Sequence, residues 1–271
     1  MGTALTNPRS DRVKAVRALS RRSVRVRTGL FLVEGPQAVR EAVGFRADLV
    51  RDVYVTPEAA GRHTAILEAA ASARLHVHEV SAEVLAAMCD TESPQGIAAV
   101  CRVLDVPLEP ALAALPPMSL TCVLTHVRDP GNAGTVIRGA DAAGADLVIV
   151  GDASVDVYNP KVVRSTVGSL FHVPIVVGVP VPQVLAALRG RGITTIAADG
   201  AGPTLLHDAD LSGSHAWVMG NEAWGLEPAL RDACDVVVRV PIYGHAESLN
   251  LAMAATVCLY ASAEARRRAG A

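Results

Sequence analysis

The sequence from residue 120 to residue 151 is LTCVLTHVRDPGNAGTVIRGADAAGADLVIVG. Short apolar runs at Leu120–Leu124 and Leu147–Val150 lie on either side of a segment with helical character. A strand that is apolar on both faces must be covered on both faces, which is typical of a parallel sheet packed between helices. This segment therefore predicts a strand, a polar loop, a helix and a second, parallel strand.

The same alternation continues towards the C-terminus. Four further apolar runs are separated by helical segments, at Val173–Val177, Ile193–Ala197, Ala216–Met219 and Val236–Val240. We expect an α/β fold with a mostly parallel sheet and helices on both of its faces. Ligands of such sheets bind in the loops beyond the carboxyl ends of the strands.

A smaller α/β domain is predicted ahead of this one. Its strand candidates are Phe31–Val33, Val50–Val55, Leu75–Val80 and Ile97–Val103, and its helical patterns lie around Pro36–Val43, Pro57–Ala73 and Ala82–Met88. Four prolines within residues 107–118 mark a boundary, because proline interrupts both helices and strands. We therefore divide the chain into residues 1–106, a linker at residues 107–118, and residues 119–271.

Charge is distributed unevenly along the chain. The formal net charge is -2, but the segment from Arg9 to Arg27 contains eight basic residues and one acidic residue. A concentrated basic segment on an otherwise acidic chain is expected to bind phosphate groups or anionic lipid, although a merely solvated helix face is the alternative. The candidate contacts in this segment are Arg12, Lys14, Arg17, Arg21, Arg22 and Arg25.

Composition excludes several classes of protein. Hydrophobic residues make up 51% of the 271 residues, enough for a sizeable core and too many for a disordered or fibrous chain. The longest charge-free apolar stretch, Leu249–Ala263, is shorter than the roughly 20 residues that a membrane span needs. Aromatic residues make up only 3%, so nucleic-acid binding through stacked bases is hard to build.

The cysteines and the N-terminus bear on location and metals. Five cysteines without a CxxC pair indicate reduced thiols and argue against a disulfide framework or a zinc site. The eight histidines are scattered without metal-ligand spacing, so no metal is expected. The N-terminus lacks the apolar core of a signal peptide, and we expect a cytoplasmic protein without membrane association.

Two loops that follow predicted strands carry polar residues and glycines. In the first, Asn132 is expected to cap a helix that presents Arg138 from its second turn, and such a helix start favours anions. In the second, Gly220 would let a ligand approach the backbone and Glu222 lies at the mouth of the loop. A capped helix with one solvated arginine is the alternative for the first loop.

A third loop precedes a long alanine-rich helix. Ser248 is the expected N-cap of this helix, and Asn250 is expected just inside it. A polar amide at the start of an otherwise apolar helix needs a hydrogen-bond partner. No GxSxG elbow or GxxxxGK[ST] loop occurs, and Gly200-Ala201-Gly202 is followed by proline, which argues against a dinucleotide site.

Together and in this order, the loops resemble the three motifs of the SpoU (TrmH) family of RNA methyltransferases in the SPOUT superfamily. DPGNAGTVIRGADAAGA is similar to the first motif, VMGNEAWGL to the second and VPIYGHAESLNLAMAATVCLY to the third. The stretch from Asn159 to Phe171 is similar to the family's segment between the first two motifs. The similarity covers the whole second domain, and residues 9–103 resemble the family's ribosomal-protein-like, RNA-binding N-terminal domain.

The resemblance implies transfer of a methyl group from S-adenosylmethionine to a ribose 2'-hydroxyl of RNA. It also implies a SPOUT-type parallel sheet with a C-terminal trefoil knot, a rare exception to unknotted chains, and a homodimer with the active site near the dimer contact. The N-terminal domain favours ribosomal RNA, above all 23S ribosomal RNA, as the substrate. Both housekeeping modification and antibiotic self-protection of the thiostrepton-resistance type occur in this family.

The resemblance also assigns residues to roles. The catalytic positions are Asn132, Arg138, Glu222, Ser248 and Asn250; the cofactor positions are Ala197, Ala198, Gly200, Gly220, Val240, Ile242 and Leu249; and Arg164 is a further RNA contact. A guanidinium with a pKa above ~12 is a poor base, so we expect Arg138 to bind phosphate and the developing oxyanion. The proton acceptor is left open between a phosphate oxygen and water.

Three alternatives remain at this point. The chain could be a non-catalytic RNA-binding or ribosome-assembly protein on the same fold, but that would predict loss of the polar motif residues. Transfer RNA could replace ribosomal RNA as the substrate. A metabolic enzyme with a nucleotide cofactor would explain the second domain but not the basic N-terminal segment.

Overall fold

The structure is a computed structural model, and it describes residues 4–268. The chain forms two compact units. The first contains the chain up to Leu104 together with Tyr158–His172, and the second contains Asp105–Val157 and the chain from Val173 onward. The chain therefore passes from one unit to the other three times.

The strands are β1 (Leu30–Glu34), β2 (Val50–Val55), β3 (His76–Glu79), β4 (Ile97–Arg102), β5 (Leu120–Leu124), β6 (Leu147–Gly151), β7 (Ile175–Val179), β8 (Thr194–Ala198), β9 (Thr204–Leu205), β10 (His215–Met219) and β11 (Val236–Arg239). The helices are α1 (Asp11–Arg17), α2 (Arg22–Thr28), α3 (Pro36–Phe45), α4 (Pro57–Arg62), α5 (Thr64–Ser72), α6 (Ala82–Met88), α7 (Leu108–Ala113), α8 (Pro130–Ala142), α9 (Pro160–Thr166), α10 (Val181–Gly190), α11 (Pro228–Asp232) and α12 (Leu251–Arg268). Every apolar run predicted as a strand overlaps one. The two-residue strand β9 was not predicted, because two residues show no periodicity.

The first unit is built on a four-stranded sheet in the order β1-β4-β2-β3, in which only the β2–β3 pair is parallel. The basic segment forms α1 and the turn after it, and the apolar residues Val13, Val16 and Leu19 are buried against the sheet. These side chains share a core cluster with Tyr54 and Met88. The charged positions of α1 remain outside.

Residues 158–172 pack with the first unit, although their position in the sequence predicts a place in the second domain. The ring of Phe31 lies 4.8 Å from that of Tyr158 and 6.3 Å from that of Phe171, centroid to centroid. The Tyr158 hydroxyl also accepts a hydrogen bond of 2.8 Å from the amide of Leu104. Contacts over such sequence separations leave no local pattern, so the sequence could not reveal them.

The second unit is built on a seven-stranded sheet in the order β7-β6-β5-β10-β8-β11-β9, and every pairing is parallel. This confirms the expected parallel α/β fold. Helices α7, α10 and α11 supply side chains to the core on one face, while α8 and α12 pack together over the other. Strands β5 and β10 lie in the middle of the sheet and are buried along their whole length.

The expected linker at residues 107–118 contains the helix α7. Leu108, Ala111 and Leu112 are buried in the core of the second unit. Pro107 and Pro110 do not prevent this helix, because they occupy its N-cap and first turn, where amides have no acceptor within the helix. The prolines thus mark the start of a helix as well as a boundary.

A buried polar network fixes α12 to the sheet. The Ser262 hydroxyl accepts a hydrogen bond of 2.8 Å from the Trp217 indole and lies 2.7 Å from Nε2 of His215. Because Nδ1 of His215 faces the carbonyl of Gly213 at 2.7 Å, Nδ1 carries the proton and Nε2 accepts from Ser262. Burial lowers the pKa of His215, which keeps the ring neutral.

Residues 4–268 contain no helix that is both long enough and apolar enough to cross a bilayer. Across the same residues, no three His, Cys, Asp or Glu side chains are grouped so that they could hold a metal ion. The five cysteines are free thiols. Burial raises the pKa of Cys122 and of Cys258 to about 12, so neither is a thiolate nucleophile at neutral pH.

Candidate functional site

The three motif loops leave the same edge of the second sheet. Strands β5, β10, β8 and β11 are neighbours in that order, and Leu124, Met219 and Ala198 are paired at their carboxyl ends. The loops that follow β5, β10 and β11 carry Asn132, Glu222 and Asn250, respectively. The topology of a parallel sheet therefore brings together side chains that lie up to 118 residues apart in sequence.

Hydrogen bonds connect one polar side chain from each loop. Nδ2 of Asn250 donates to Oδ1 of Asn132 at 3.0 Å, and Nδ2 of Asn132 donates to Oε1 of Glu222 at 3.3 Å. Glu222 also accepts from the amides of Arg128 and Asp129 at 3.3 and 3.1 Å. This polar cluster lies in an open cleft of about 570 Å³ that is lined by Arg128, Asp129, Asn132, Asn221, Glu222, Ala223, Trp224 and Asn250.

The helix caps differ from those expected. Asp129 caps α8, with its carboxylate accepting from the amide of Asn132 at 2.7 Å, and Asn250 caps α12, with Oδ1 accepting from the amide of Ala252 at 2.9 Å. Pro130 is the first residue of α8, which moves the cap three residues ahead of the prediction and places Arg138 in the third turn. Because Asn250 caps α12 through its side-chain oxygen, its side-chain nitrogen remains available to donate to the side-chain oxygen of Asn132.

Ser248 does not join this cluster. Its side chain is exposed, and no hydrogen bond of this residue is found within the described chain. Because Asn250 takes the cap, Ser248 lies in the loop that precedes α12.

The glycine and asparagine that precede Glu222 determine its loop. A Cβ at Gly220 would clash with the backbone of Gly225, and Asn221 and Gly225 exchange backbone hydrogen bonds of 2.8 and 3.0 Å. The close approach at Gly220 is therefore made by the protein's own chain. The buried Asn221 also donates from Nδ2 to the carbonyl of His126 at 2.7 Å, which ties the second loop to the first.

Asn221, Asp129 and His126 were missed as site residues. His126 has a φ of 54°, in the left-handed region that a non-glycine residue adopts only when its surroundings hold it there. Asn221 stands directly beside Glu222 within the second motif, and Asp129 directly precedes a proline that starts a helix. These two local patterns could have indicated them.

The expected cofactor positions lie along the neighbouring loops. Ala197 is buried in β8, Ala198 ends that strand, and a Cβ at Gly200 would meet no atom within 4 Å. Val240 and Leu249 line a cleft of about 650 Å³ together with residues of α12, and Ile242 is 39% exposed between them. Residues 241–249 make no hydrogen bond with any other described residue, so their amides and carbonyls are open to a ligand.

Arg138 lies apart from the polar cluster. Its side chain is exposed on α8, it has no hydrogen-bond or ion-pair partner among residues 4–268, and it does not line the cleft that holds Glu222. The neighbouring Gly139 approaches α12 closely, because a Cβ there would lie 3.0 Å from Oγ1 of Thr256. Arg138 is thus presented beside α12 with its charge unpaired.

Most expected RNA contacts of the first unit are exposed. This holds for Arg12, Lys14, Arg17, Arg21 and Arg22. Arg25 differs, because it is only 4% exposed and its guanidinium donates to the carbonyls of Leu19 and Ser20 at 2.8 and 2.7 Å. Arg25 therefore holds the turn between α1 and α2, and we remove it from the RNA-binding set.

Arg164 also has an internal partner. Its guanidinium binds the carboxylates of Glu34 at 2.6 Å and Asp90 at 3.1 Å, all within the first unit. The Glu34 side chain is only 3% exposed and accepts a further hydrogen bond from the amide of Asp90. Burial acts to lower the pKa of Arg164, but the two carboxylates outweigh it and raise that pKa. Arg164 therefore compensates the buried negative charge of Glu34.

Comparison with known proteins agrees with the motifs. Residues 119–260 match the SpoU rRNA Methylase family, and residues 10–99 match the MRM3-like substrate binding domain. A 23S rRNA (guanosine(2553)-2'-O)-methyltransferase, RlmP of Bacillus subtilis, is 34% identical over 256 residues, which cover 94% of this chain and 97% of that one.

Two solved structures extend the likeness to the fold. An AdoMet-bound rRNA methyltransferase from Sinorhizobium meliloti is 29% identical with a TM-score of 0.84, and the match covers 98% of each chain. The SpoU methyltransferase AviRb from Streptomyces viridochromogenes, in complex with the cofactor AdoMet, is 30% identical with a TM-score of 0.84, over 96% of this chain and 100% of that one.

Proposed function

The chain belongs to the SpoU rRNA methylase family and is an S-adenosylmethionine-dependent RNA ribose 2'-O-methyltransferase, and we propose that it modifies 23S ribosomal RNA through the cluster of Asn132, Glu222 and Asn250. The observation that carries this proposal is the hydrogen-bonded convergence of the three side chains at the carboxyl edge of the sheet. Such an edge is where α/β proteins bind their ligands.

The residues present fit S-adenosylmethionine. The cleft beside Val240 and Leu249 has largely apolar walls, and the adjoining residues 241–249 offer unbonded amides and carbonyls. Small-molecule sites commonly combine apolar walls with a few backbone polar groups. We propose that this loop and the loop after Ala198 hold the cofactor, which supplies an electrophilic methyl group when bound.

The protein's own residues have separate tasks in the proposed mechanism. Glu222 is a positioning residue that holds the first loop through two amides and the Asn132 side chain. The linked amides of Asn132 and Asn250 orient the ribose, so that the 2'-oxygen is aligned for attack on the methyl carbon. The methyl carbon gains a bond to oxygen as its bond to sulfur breaks, and the hydroxyl proton passes to a phosphate oxygen or to water.

Arg138 supplies positive charge in this proposal. An unpaired guanidinium can bind a phosphate through two parallel hydrogen bonds, and it can stabilise the negative charge that develops on the ribose oxygen. A guanidinium is a poor proton acceptor, because arginine stays protonated in proteins. We therefore assign Arg138 to anion binding and leave proton transfer to another group.

We further propose a homodimer. Large apolar side chains are exposed on α12 and the loop before it, at Tyr243, Met253, Val257 and Tyr260. A second copy on this surface would bury them and would bring a positive charge to a site that its own Arg138 does not line. Size-exclusion chromatography with light scattering measures the mass of the protein in solution. The mass of a monomer would contradict this proposal.

Three finer assignments also remain proposals. A C-terminal trefoil knot agrees with α12 packing against β8, β10 and α8 after the long loop that follows β11. An RNA-binding first unit, corresponding to the domain expected at residues 1–106, agrees with the match to a substrate binding domain. A cytoplasmic location agrees with a ribosomal RNA substrate.

Methyl transfer from radiolabelled S-adenosylmethionine tests the proposal. The protein should label 23S ribosomal RNA, and Arg138→Ala should abolish turnover while cofactor affinity is retained. Arg191→Ala, which removes an exposed arginine directly after α10, should have no effect. Full activity in Arg138→Ala would contradict the role of this arginine. Labelling of transfer RNA alone would identify transfer RNA as the substrate in place of ribosomal RNA. No labelling of either RNA would support a non-catalytic protein.

A further inference from the structure

The first unit contains a cleft of about 690 Å³ at one end of its sheet. Leu30, Val50 and His76 begin β1, β2 and β3 there, and Arg102 ends the antiparallel β4. The floor is apolar and mostly aliphatic: it is formed by Val16, Leu19, Leu30, Val50, Leu75 and Val100, together with the buried ring of Tyr54. This volume lies within the range of small-molecule sites, roughly 300–1,000 Å³.

The rim of the cleft is strongly basic. Arg12, Arg51, Arg74 and Arg102 line it and are exposed, whereas Asp52 is its one acidic lining residue among those described. The four arginines come from α1, from two strands and from the turn before β3, so no stretch of sequence groups them. Because Arg12 also belongs to the basic segment from Arg9 to Arg27, the cleft continues that positive surface onto the sheet.

One of these arginines is held in place. The ring of His78 contacts both Asp52 and Arg12. Its Nε2 lies 2.7 Å from the Asp52 carboxylate, and Nη1 of Arg12 lies 3.1 Å from Nδ1 and 3.2 Å from Nε2. A neutral ring that donates from Nε2 to Asp52 leaves Nδ1 as the acceptor for Arg12. His78 also stacks on Tyr54, with ring centroids 5.1 Å apart. Arg12 is therefore pre-positioned at the rim.

Arg74 has an unfavourable backbone conformation. Its φ is 57°, at the C-terminal end of α5, where the amide of Leu75 bonds the carbonyl of Ala70 at 2.9 Å. Glycine is usual at such a position because a side chain is strained there. The Arg74 side chain has no hydrogen-bond or ion-pair partner among residues 4–268, so no internal side-chain contact accounts for an arginine at this strained position.

We propose that this cleft binds one unstacked nucleotide of the RNA substrate, with its base on the apolar floor and its phosphates on Arg74 and Arg102. Guanidinium groups bind phosphates in two-point fashion, and a base lying on aliphatic side chains needs no aromatic platform. The scarcity of aromatic residues is therefore compatible with recognition of single-stranded RNA. The inference rests on the proposed function in taking RNA as the ligand.

Binding of a fluorescein-labelled single-stranded RNA of roughly 12 nucleotides, followed by anisotropy across a salt series, tests the cleft. Each lost phosphate contact should lower the slope of log K against log salt by about 0.7 and, at about 0.15 M salt, weaken binding about fourfold. Arg74→Gly should show this loss and a raised thermal midpoint, because glycine relieves the backbone strain. Arg74→Gly/Arg102→Gln removes two contacts and should weaken binding by about 15-fold.

Arg40→Gln/Arg62→Gln is the matched control, since it removes two exposed arginines of the same unit outside the cleft. A second pair avoids arginines: Ala15→Glu places a negative charge in the cleft, and Ala69→Glu places one on an exposed position of α5. Equal affinity of the cleft variants and their controls would overturn the proposal. Methyl transfer by the parent protein is measured separately, so failure of the cleft and failure of the enzymatic function give different results.

Discussion

Ser262→Ala should destabilise the second unit, because the hydroxyl of Ser262 connects α12 to β10. Ser262 is fully buried, accepts from the Trp217 indole and donates to Nε2 of His215. Alanine would leave a buried donor and a buried acceptor without partners. Each such group costs about 1–3 kcal/mol, so we expect the free energy of unfolding to fall by about 2–6 kcal/mol.

Urea unfolding followed by tryptophan fluorescence measures this loss. The protein has two tryptophans, and a Trp224→Phe background leaves the buried Trp217 as the single reporter. Ser119→Ala is the matched control: Ser119 is 1% exposed and its hydroxyl has no hydrogen-bond partner among the described residues, so its removal should cost little. Equal losses in the two alanine variants would refute the importance of the network.

Three further predictions concern the site, the first unit and pH. Glu222→Ala should lower the rate of methyl transfer by ~10–100-fold with cofactor affinity unchanged, because it releases Asn132, whose side-chain amide we propose orients the ribose. Glu109→Ala, on the surface of α7, is the control. Arg164→Ala should reduce the free energy of unfolding by about 2 kcal/mol, and added Glu34→Gln should restore part of it, as urea titration will show. Burial lowers the pKa of His215, so the unfolded chain binds a proton at about pH 6.5 that the folded protein does not. The free energy of unfolding should therefore fall as the pH drops below about 6.5. In His215→Gln this dependence of stability on pH should be lost.

The strands could be predicted because their apolar runs are local. Leu120–Leu124 is buried on both faces, as its composition requires, and the order of strands and helices gives the parallel sheet. The position of residues 158–172 could not be predicted, because it depends on Phe31 and Glu34, which lie more than 120 residues away. Aromatic packing and ion pairing at such separations have no period in the sequence.

The sequence predicted which residues meet at the candidate site better than it predicted their hydrogen-bond partners. Asn132, Glu222 and Asn250 come together as the motifs imply, but the capping roles belong to Asp129 and Asn250. A proline at the first position of α8 determines the cap, and this shift of three residues changes what the Asn132 side chain can bind.

The charge pattern of the sequence predicts the basic surface of the first unit only in part. A basic segment is visible along the chain, yet Arg25 within it is buried and bonded to carbonyls. Arg74 and Arg102 lie outside that segment, and only the sheet brings them to one cleft. Linear charge density does not report burial or the meeting of distant strands.

The central claim is ribose methylation of 23S ribosomal RNA, and nucleoside mass spectrometry tests it most directly. Unmodified 23S ribosomal RNA is incubated with the protein and S-adenosylmethionine that carries a deuterated methyl group, then digested to nucleosides. We predict a labelled 2'-O-methylnucleoside that is absent when Arg138→Ala replaces the parent protein. Label on a base, or no label in the RNA at all, would contradict the account.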